Sequence, residues 1–135
     1  MALFILAWRK IIHCSIEGQI NMIVRNFNQR EVQEGIYQAH GGGIASMLFE
    51  GNTLQGLLFF ACGIVKPGKV IEAHIDPYEE IYYFLQGEGV MRVDEEEKRV
   101  RVGDAVWVPC GSVHSLRNEG QVDCVGLVIA AMPRV

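Results

Sequence analysis

The sequence predicts an all-β barrel, and three observations carry that expectation. From residue 35 onward, turn-forming residues recur about every ten positions. The stretches between them are short and rich in valine, isoleucine and aromatic residues, which suit a pleated, half-buried surface. No stretch keeps a helical period for long. Many short strands at such spacing build a sandwich or a barrel.

The lead-in comes first. Residues 1–12 (MALFILAWRKII) are apolar, but their positive charges follow the apolar run and no small-x-small cleavage site comes after it, unlike a secretory signal. The run is also far shorter than the roughly 20 residues of a membrane span. Met22 opens MIVRNFNQREV, a credible natural start. Residues 1–21 are therefore read as an N-terminal extension, either an appended segment or a helix or strand packed on the barrel or on a partner subunit. Residues 22–135 make the barrel domain.

Within that domain only Gln29–Gln38 has helical content. Strands are expected at Ile44–Phe49, Leu54–Ile64, Val70–His74, Glu80–Leu85, Val90–Val93, Lys98–Val102, Ala105–Val108, His114–Arg117 and Val122–Ala130. The punctuation between them is EGNT at Glu50–Thr53, KPGK at Lys66–Lys69, GEG at Gly87–Gly89, Asp94–Glu97, Gly103–Asp104, PCG at Pro109–Gly111 and NEG at Asn118–Gly120. Trp107 and Phe84 read as barrel filling, Glu79 as outward-facing, and Arg92 and Arg117 as solvated surface. His40, in Gln38–Gly43 (QAHGGG), reads as part of a flexible lid or turn. Those glycines lack the lysine, serine or threonine of a phosphate loop.

Composition narrows the function classes. Lysine and arginine total 12 against 16 acids, a formal charge of −4, with no basic stripe to neutralise phosphates. No nucleic-acid or membrane partner is expected. The cysteines, Cys14, Cys62, Cys110 and Cys124, form no CxxC pair. They read as reduced thiols of a cytoplasmic protein. Half the chain is hydrophobic and residues 3–12 add apolar surface, so a homodimer is expected.

Two spacings carry the chemistry. One runs Gly68, five residues, His74, one residue, Asp76, three residues, Glu80, six residues, Gly87. The other runs Gly103, five residues, Pro109, one residue, Gly111, two residues, His114, three residues, Asn118. Period-two alternation puts His74 and Asp76 on one face of a strand. Pro77 interrupts the ladder, and Glu80 opens the next strand with Tyr82 and Phe84 on its face. His114 arrives from a strand remote in sequence that a closed barrel can bring opposite. Two imidazoles and a carboxylate converging in a barrel suit a transition metal.

These spacings resemble the two signature motifs of the cupin superfamily. The second matches at every defining position; the first departs where Asp76 stands in place of the usual second histidine. Chance would produce the second motif alone in about one such sequence in ten thousand. The resemblance implies a jelly-roll β-barrel with one divalent transition-metal ion per chain (iron, manganese, nickel or zinc). It places that ion on His74, Glu80 and His114, with Asp76 either a direct ligand or acting behind the ligands. Without Asp76 the set is the two-histidine, one-carboxylate kind of non-haem iron; with it the site favours manganese or iron and Lewis-acid chemistry. Tyr82 is a candidate to hydrogen-bond a bound molecule. The function implied is a metal-dependent enzyme of dioxygenase, decarboxylase or isomerase type acting on a small oxygen-rich molecule. The alternative is a non-catalytic module that binds a small molecule or metal.

Overall fold

The computed structural model describes residues 25–50 and 53–133. The extension at residues 1–21, and Cys14 within it, lie outside the described residues. A short helix, α1 (Arg30–Glu34), leads into β1 (Tyr37–Ala39), β2 (Gly43–Glu50), β3 (Leu57–Val65), β4 (Val70–His74) and β5 (Glu79–Gln86). Then come β6 (Glu88–Val93), β7 (Glu96–Arg101), β8 (Ala105–Val108), β9 (His114–Arg117) and β10 (Cys124–Ala131). The strands pair antiparallel in a six-stranded sheet, ordered β1-β2-β3-β10-β5-β8, and a four-stranded sheet, ordered β4-β9-β6-β7. No helix among the described residues is long and apolar enough to cross a membrane.

Alternation along each strand decides which residues enter the space between the sheets. On β5, Tyr82 and Phe84 are buried while Ile81, Tyr83 and Leu85 face out. Val65, Met91, Val100, Val108, Leu116 and Cys124 complete the core around them. Each large aliphatic side chain so buried contributes about 1.5–3 kcal/mol. Cys62, Cys110 and Cys124 are free thiols, and burial raises the Cys124 pKa to about 11.

The motif ends are structural. Asn118 is buried, and its side-chain amide donates to the carbonyls of Val65 (2.9 Å) and Val122 (2.7 Å), while its Oδ1 accepts from Gly120 N–H (2.8 Å). It thereby ties the end of β9 to the end of β3. Gly87 turns the chain between β5 and β6 at φ 72°, where a Cβ would stand 2.4 Å from the Asp123 carbonyl oxygen. Gly103 is also left-handed, at φ 91°, but faces open space.

The expected strands are present, with shifted ends. The helical signal at Gln29–Gln38 resolves into one short helix, because Gly35 ends it and Tyr37–Ala39 pairs with Gly43–Ala45 as β1. Strand β3 starts at Leu57, since Leu54–Leu57 closes a turn at Gly56, φ 79°. Trp107 does not fill the barrel: it is 61% exposed, pairs with Ile81 on the outer face, and donates from Nε1 to Glu79. Arg117 lies at the surface, paired with Glu97 and Glu119.

The two motif glycines give a differential test. Gly103→Ala should lower the unfolding free energy by about 1–2 kcal/mol from left-handed strain alone. Gly87→Ala adds overpacking and should cost about 2–5 kcal/mol. Equal losses in denaturant unfolding would contradict this account of the β5–β6 corner.

Candidate functional site

Four motif side chains meet at Asp76, which groups with Glu80 and His114 and, separately, with His74 and His40. His74 ends β4 and pairs directly with His114, which begins β9. Both ring orientations are set by backbone carbonyls: His74 Nδ1 lies 2.6 Å from Glu72 O, and His114 Nδ1 lies 3.1 Å from Ser112 O. A carbonyl only accepts, so each Nδ1 carries the proton and each Nε2 is left facing the interior. Glu80 comes from β5, on the same face as Tyr82, and is 4% exposed. Asp76 lies beyond the end of β4, not on its face as alternation along a continued strand implies. The loop carrying it turns inward because the Asp76 carbonyl accepts the N–H of Gly111, at 3.0 Å, from the turn of the second motif.

That turn places the short aspartate side chain in the middle of the group. Asp76 Oδ2 is 3.3 Å from His74 Nε2 and 3.7 Å from His114 Nε2, and Glu80 Oε2 is 2.9 Å from His114 Nε2. Atoms about 2.1 Å from one ion, at tetrahedral to right angles, stand about 3.0–3.4 Å apart; the His74–Asp76 contact falls in that range, the His114–Glu80 contact just below it and the His114–Asp76 contact above it. His114 Nε2 is buried with no hydrogen-bond partner, so its approach to Glu80 lacks hydrogen-bond alignment. A buried nitrogen left without a partner beside a carboxylate oxygen is free to serve a metal. The donor set of imidazole nitrogens and carboxylate oxygens could hold a divalent transition metal.

The electrostatics favour positive charge at this point. Burial works against protonating His114, but the Glu80 carboxylate, the Ser112 carbonyl and Asp76 outweigh it and hold its pKa above the usual value. Burial lowers the His74 pKa, helped by His114 and His40 and opposed by the Glu72 carbonyl and Asp76. Its Nε2 therefore keeps a lone pair.

A cavity of about 90 Å³ opens beside the cluster, lined by His74, Asp76 and Glu80 together with His40, Tyr78 and Tyr82. Tyr82 is buried, and its hydroxyl donates to Glu80 Oε2 at 3.5 Å, which engages it with the carboxylate as well as with the core. Burial, with the charges of Glu80 and Asp76, pushes Tyr82 well above the ordinary phenol range. Tyr78 is also raised, by burial and then by Asp76 and Glu80. Both phenols stay protonated and able to donate.

Two cavity residues escape the motif reading. Tyr78 stands between Asp76 and Glu80 in the sequence and packs edge-on against Phe59. His40 is brought from the loop before β2 to stack on His74, with ring centroids 3.6 Å apart and planes at 10°. The QAHGGG segment forms the turn of the two expected alternatives, lid or turn, and is tied to β4: Glu72 N–H donates to His40 O at 2.9 Å, and Gly42 N–H to Val70 O at 2.8 Å. The signal that could have located it is the glycine run itself. A Cβ at Gly42 would lie 2.8 Å from Lys69 Cβ, so glycine is what lets this loop approach β4 so closely.

The Cupin domain family model matches residues 63–130. The oxalate-binding protein of Thermotoga maritima is 34% identical over 71 residues, 52% of this chain and 59% of that protein. The 5-nitrosalicylic acid 1,2-dioxygenase of Bradyrhizobium sp is 28% identical over 75 residues, 56% of this chain and 36% of the enzyme. The chain thus spans less than two thirds of either relative. Among solved structures, one described as a predicted oxalate decarboxylase from Thermotoga maritima superposes with a TM-score of 0.64 at 26% identity, covering 67% of this chain and 81% of that one.

Proposed function

The chain belongs to the cupin family, and on that premise we propose that it is a metal-dependent enzyme acting on a small, oxygen-rich carboxylate. The observation that carries the reading is Asp76 Oδ2 standing between two groups, with Glu80 Oε2 and His114 Nε2 on one side and His74 Nε2 on the other, while both Nδ1 atoms face carbonyls. These four residues would hold one divalent ion, and the oxygen content of the set favours manganese or iron. Bound there, the ion would supply Lewis-acid polarisation of an oxygen ligand or, as iron, oxygen chemistry.

The protein's own residues supply the rest. Glu80 and Asp76 lend negative charge that neutralises the cation, and the Glu72 and Ser112 carbonyls keep both imidazoles in the coordinating tautomer. Tyr82 holds Glu80 by its hydroxyl. Tyr78 lines the cavity with its hydroxyl toward Asp76, a second phenol beside the carboxylates. Phe59, Ala61, Ile71 and Val128 limit water around it. The names of the two relatives, one for oxalate and one for a substituted salicylic acid, support small carboxylates as the ligand class. A second reading, a non-catalytic binding module, is favoured by the commitment of both carboxylates and both imidazoles to the ion. That leaves none of the four free as a general base.

Protein grown with iron, manganese, nickel and zinc available is expected to carry about one divalent ion per chain. The double variant His74→Ala/His114→Ala should stay folded and lose it. Oxalate and salicylate should bind the metal-loaded form at least about tenfold tighter than the stripped form, a difference of about 1.4 kcal/mol. Metal-independent binding, or no metal under any of these conditions, would contradict the proposal. Binding without turnover, in air and under nitrogen, would favour the module over the enzyme.

We also propose that the protein forms a homodimer. The outer face of the six-stranded sheet carries the row Phe60, Ile129, Ile81 and Trp107, followed by Cys62, Leu127, Tyr83 and Ala105. Of these, Ile81 (45%), Tyr83 (42%) and Trp107 (61%) are the large hydrophobics most exposed. Small monomers seldom leave so continuous an apolar face open, and a twofold pairing of two such faces is the commonest closed assembly. Light scattering at micromolar concentration should give a dimer, and Ile81→Arg/Tyr83→Arg a folded monomer. A monomeric wild type would contradict this.

A further inference from the structure

His40 is the residue whose position the metal site does not explain. Its backbone is left-handed at φ 45°, a conformation uncommon for a residue with a Cβ and one that functional sites tend to retain. The segment around it is fixed to β4 by the bonds from Glu72 N–H and Gly42 N–H and by the bridge between Gly41 and Ile71. The strain is thus held in place, and its result is an imidazole laid flat on His74 at the cavity wall.

The stacking argues against a simple role. His40, His74 and Asp76 present ligand atoms within 4.8 Å of one another, which alone suggests a further metal ligand. Coordination, however, needs lone pairs in the ring planes to converge on one point. Two rings 3.6 Å apart and within 10° of parallel point their lone pairs side by side. An ion in the plane of His74 lies well out of the plane of His40.

The cavity has a complementary need. Neither lysine nor arginine is among its lining residues, so the protein offers an acidic ligand no fixed cation there. No described residue hydrogen-bonds the His40 ring, and His40 is exposed at the cavity wall.

We propose that His40 is a ligand-recognition residue: its ring N–H donates to the far carboxylate of a short dicarboxylate whose near end is held at the metal site. The inference rests on the metal-and-carboxylate reading above and deepens it by assigning two-ended ligands to the cavity. The stack on His74 positions the donor, and the neutral imidazole suffices for the bond. One charge-assisted hydrogen bond corresponds to about tenfold or more in affinity.

The test compares malonate with acetate by calorimetry on metal-loaded protein, for the wild type, His40→Ala and His40→Asn. Asparagine tolerates the left-handed backbone, so it keeps the loop conformation if alanine does not. Both variants should keep the wild-type metal content and affinity, lose malonate affinity by about tenfold or more, and leave acetate affinity unchanged. Loss of metal in both variants would make His40 a ligand and overturn the proposal. Unchanged malonate affinity with metal retained would also overturn it. A wild type that binds metal but not malonate overturns this inference alone, whereas one that binds no metal overturns the reading beneath it.

Discussion

Burying Glu80 and His114 side by side is the constraint that the rest of this barrel accommodates. They are 4% and 1% exposed, 2.9 Å apart, in a core otherwise made of Tyr82, Phe84, Val108 and their neighbours. An unpaired charge in such a place costs several kcal/mol, and breaking a buried pair typically costs about 3–5 kcal/mol. The neighbouring groups favour positive charge on the imidazole side of the pair. The Ser112 carbonyl fixes one side of the imidazole, the Tyr82 hydroxyl caps the carboxylate, and Asp76 adds a second negative charge within 3.7 Å of the ring. Together they create a point where a cation is stabilised.

The backbone delivers these groups with little dependence on side-chain chance. Pairing of His74 with His114 sets the two imidazoles across neighbouring strands, and the bond from Gly111 N–H to the Asp76 carbonyl joins the turns of the two motifs. Gly111 is left-handed at φ 80° in that turn. Asn118 then anchors the far end of β9 to β3. The six-stranded sheet thus has different duties on its two faces. The inner face carries Glu80 and Tyr82 into the site, while the outer face presents Ile81, Tyr83 and Trp107.

Much of this was legible because it repeats along the chain or sits at fixed spacing. Strands β4, β8 and β9 have the ends that their turn residues imply, and alternation correctly puts Glu80, Tyr82 and Phe84 on one inward face. What stayed hidden depends on non-local geometry. The inward turn of Asp76 depends on a carbonyl bonded to a glycine 35 positions away, Gly111. The size of Trp107 suggests core, yet strand phase turns it outward opposite Ile81. His40 belongs to no motif, and only the close approach of Gly42 to Lys69 and Val70 brings it onto His74.

Asp76 is the residue that joins the two sides of the site. Its short side chain is carried inward by its loop until it lies 3.3 Å from His74 Nε2 and 3.7 Å from His114 Nε2. The most direct measurement is a metal titration of Asp76→Ala beside His114→Ala, using manganese and iron with the folded state checked by circular dichroism. A direct ligand predicts losses of similar size, each beyond the roughly 10–100-fold that removing a supporting residue produces. An Asp76→Ala protein that binds either metal within about tenfold of wild type, while His114→Ala does not bind, would contradict the central claim.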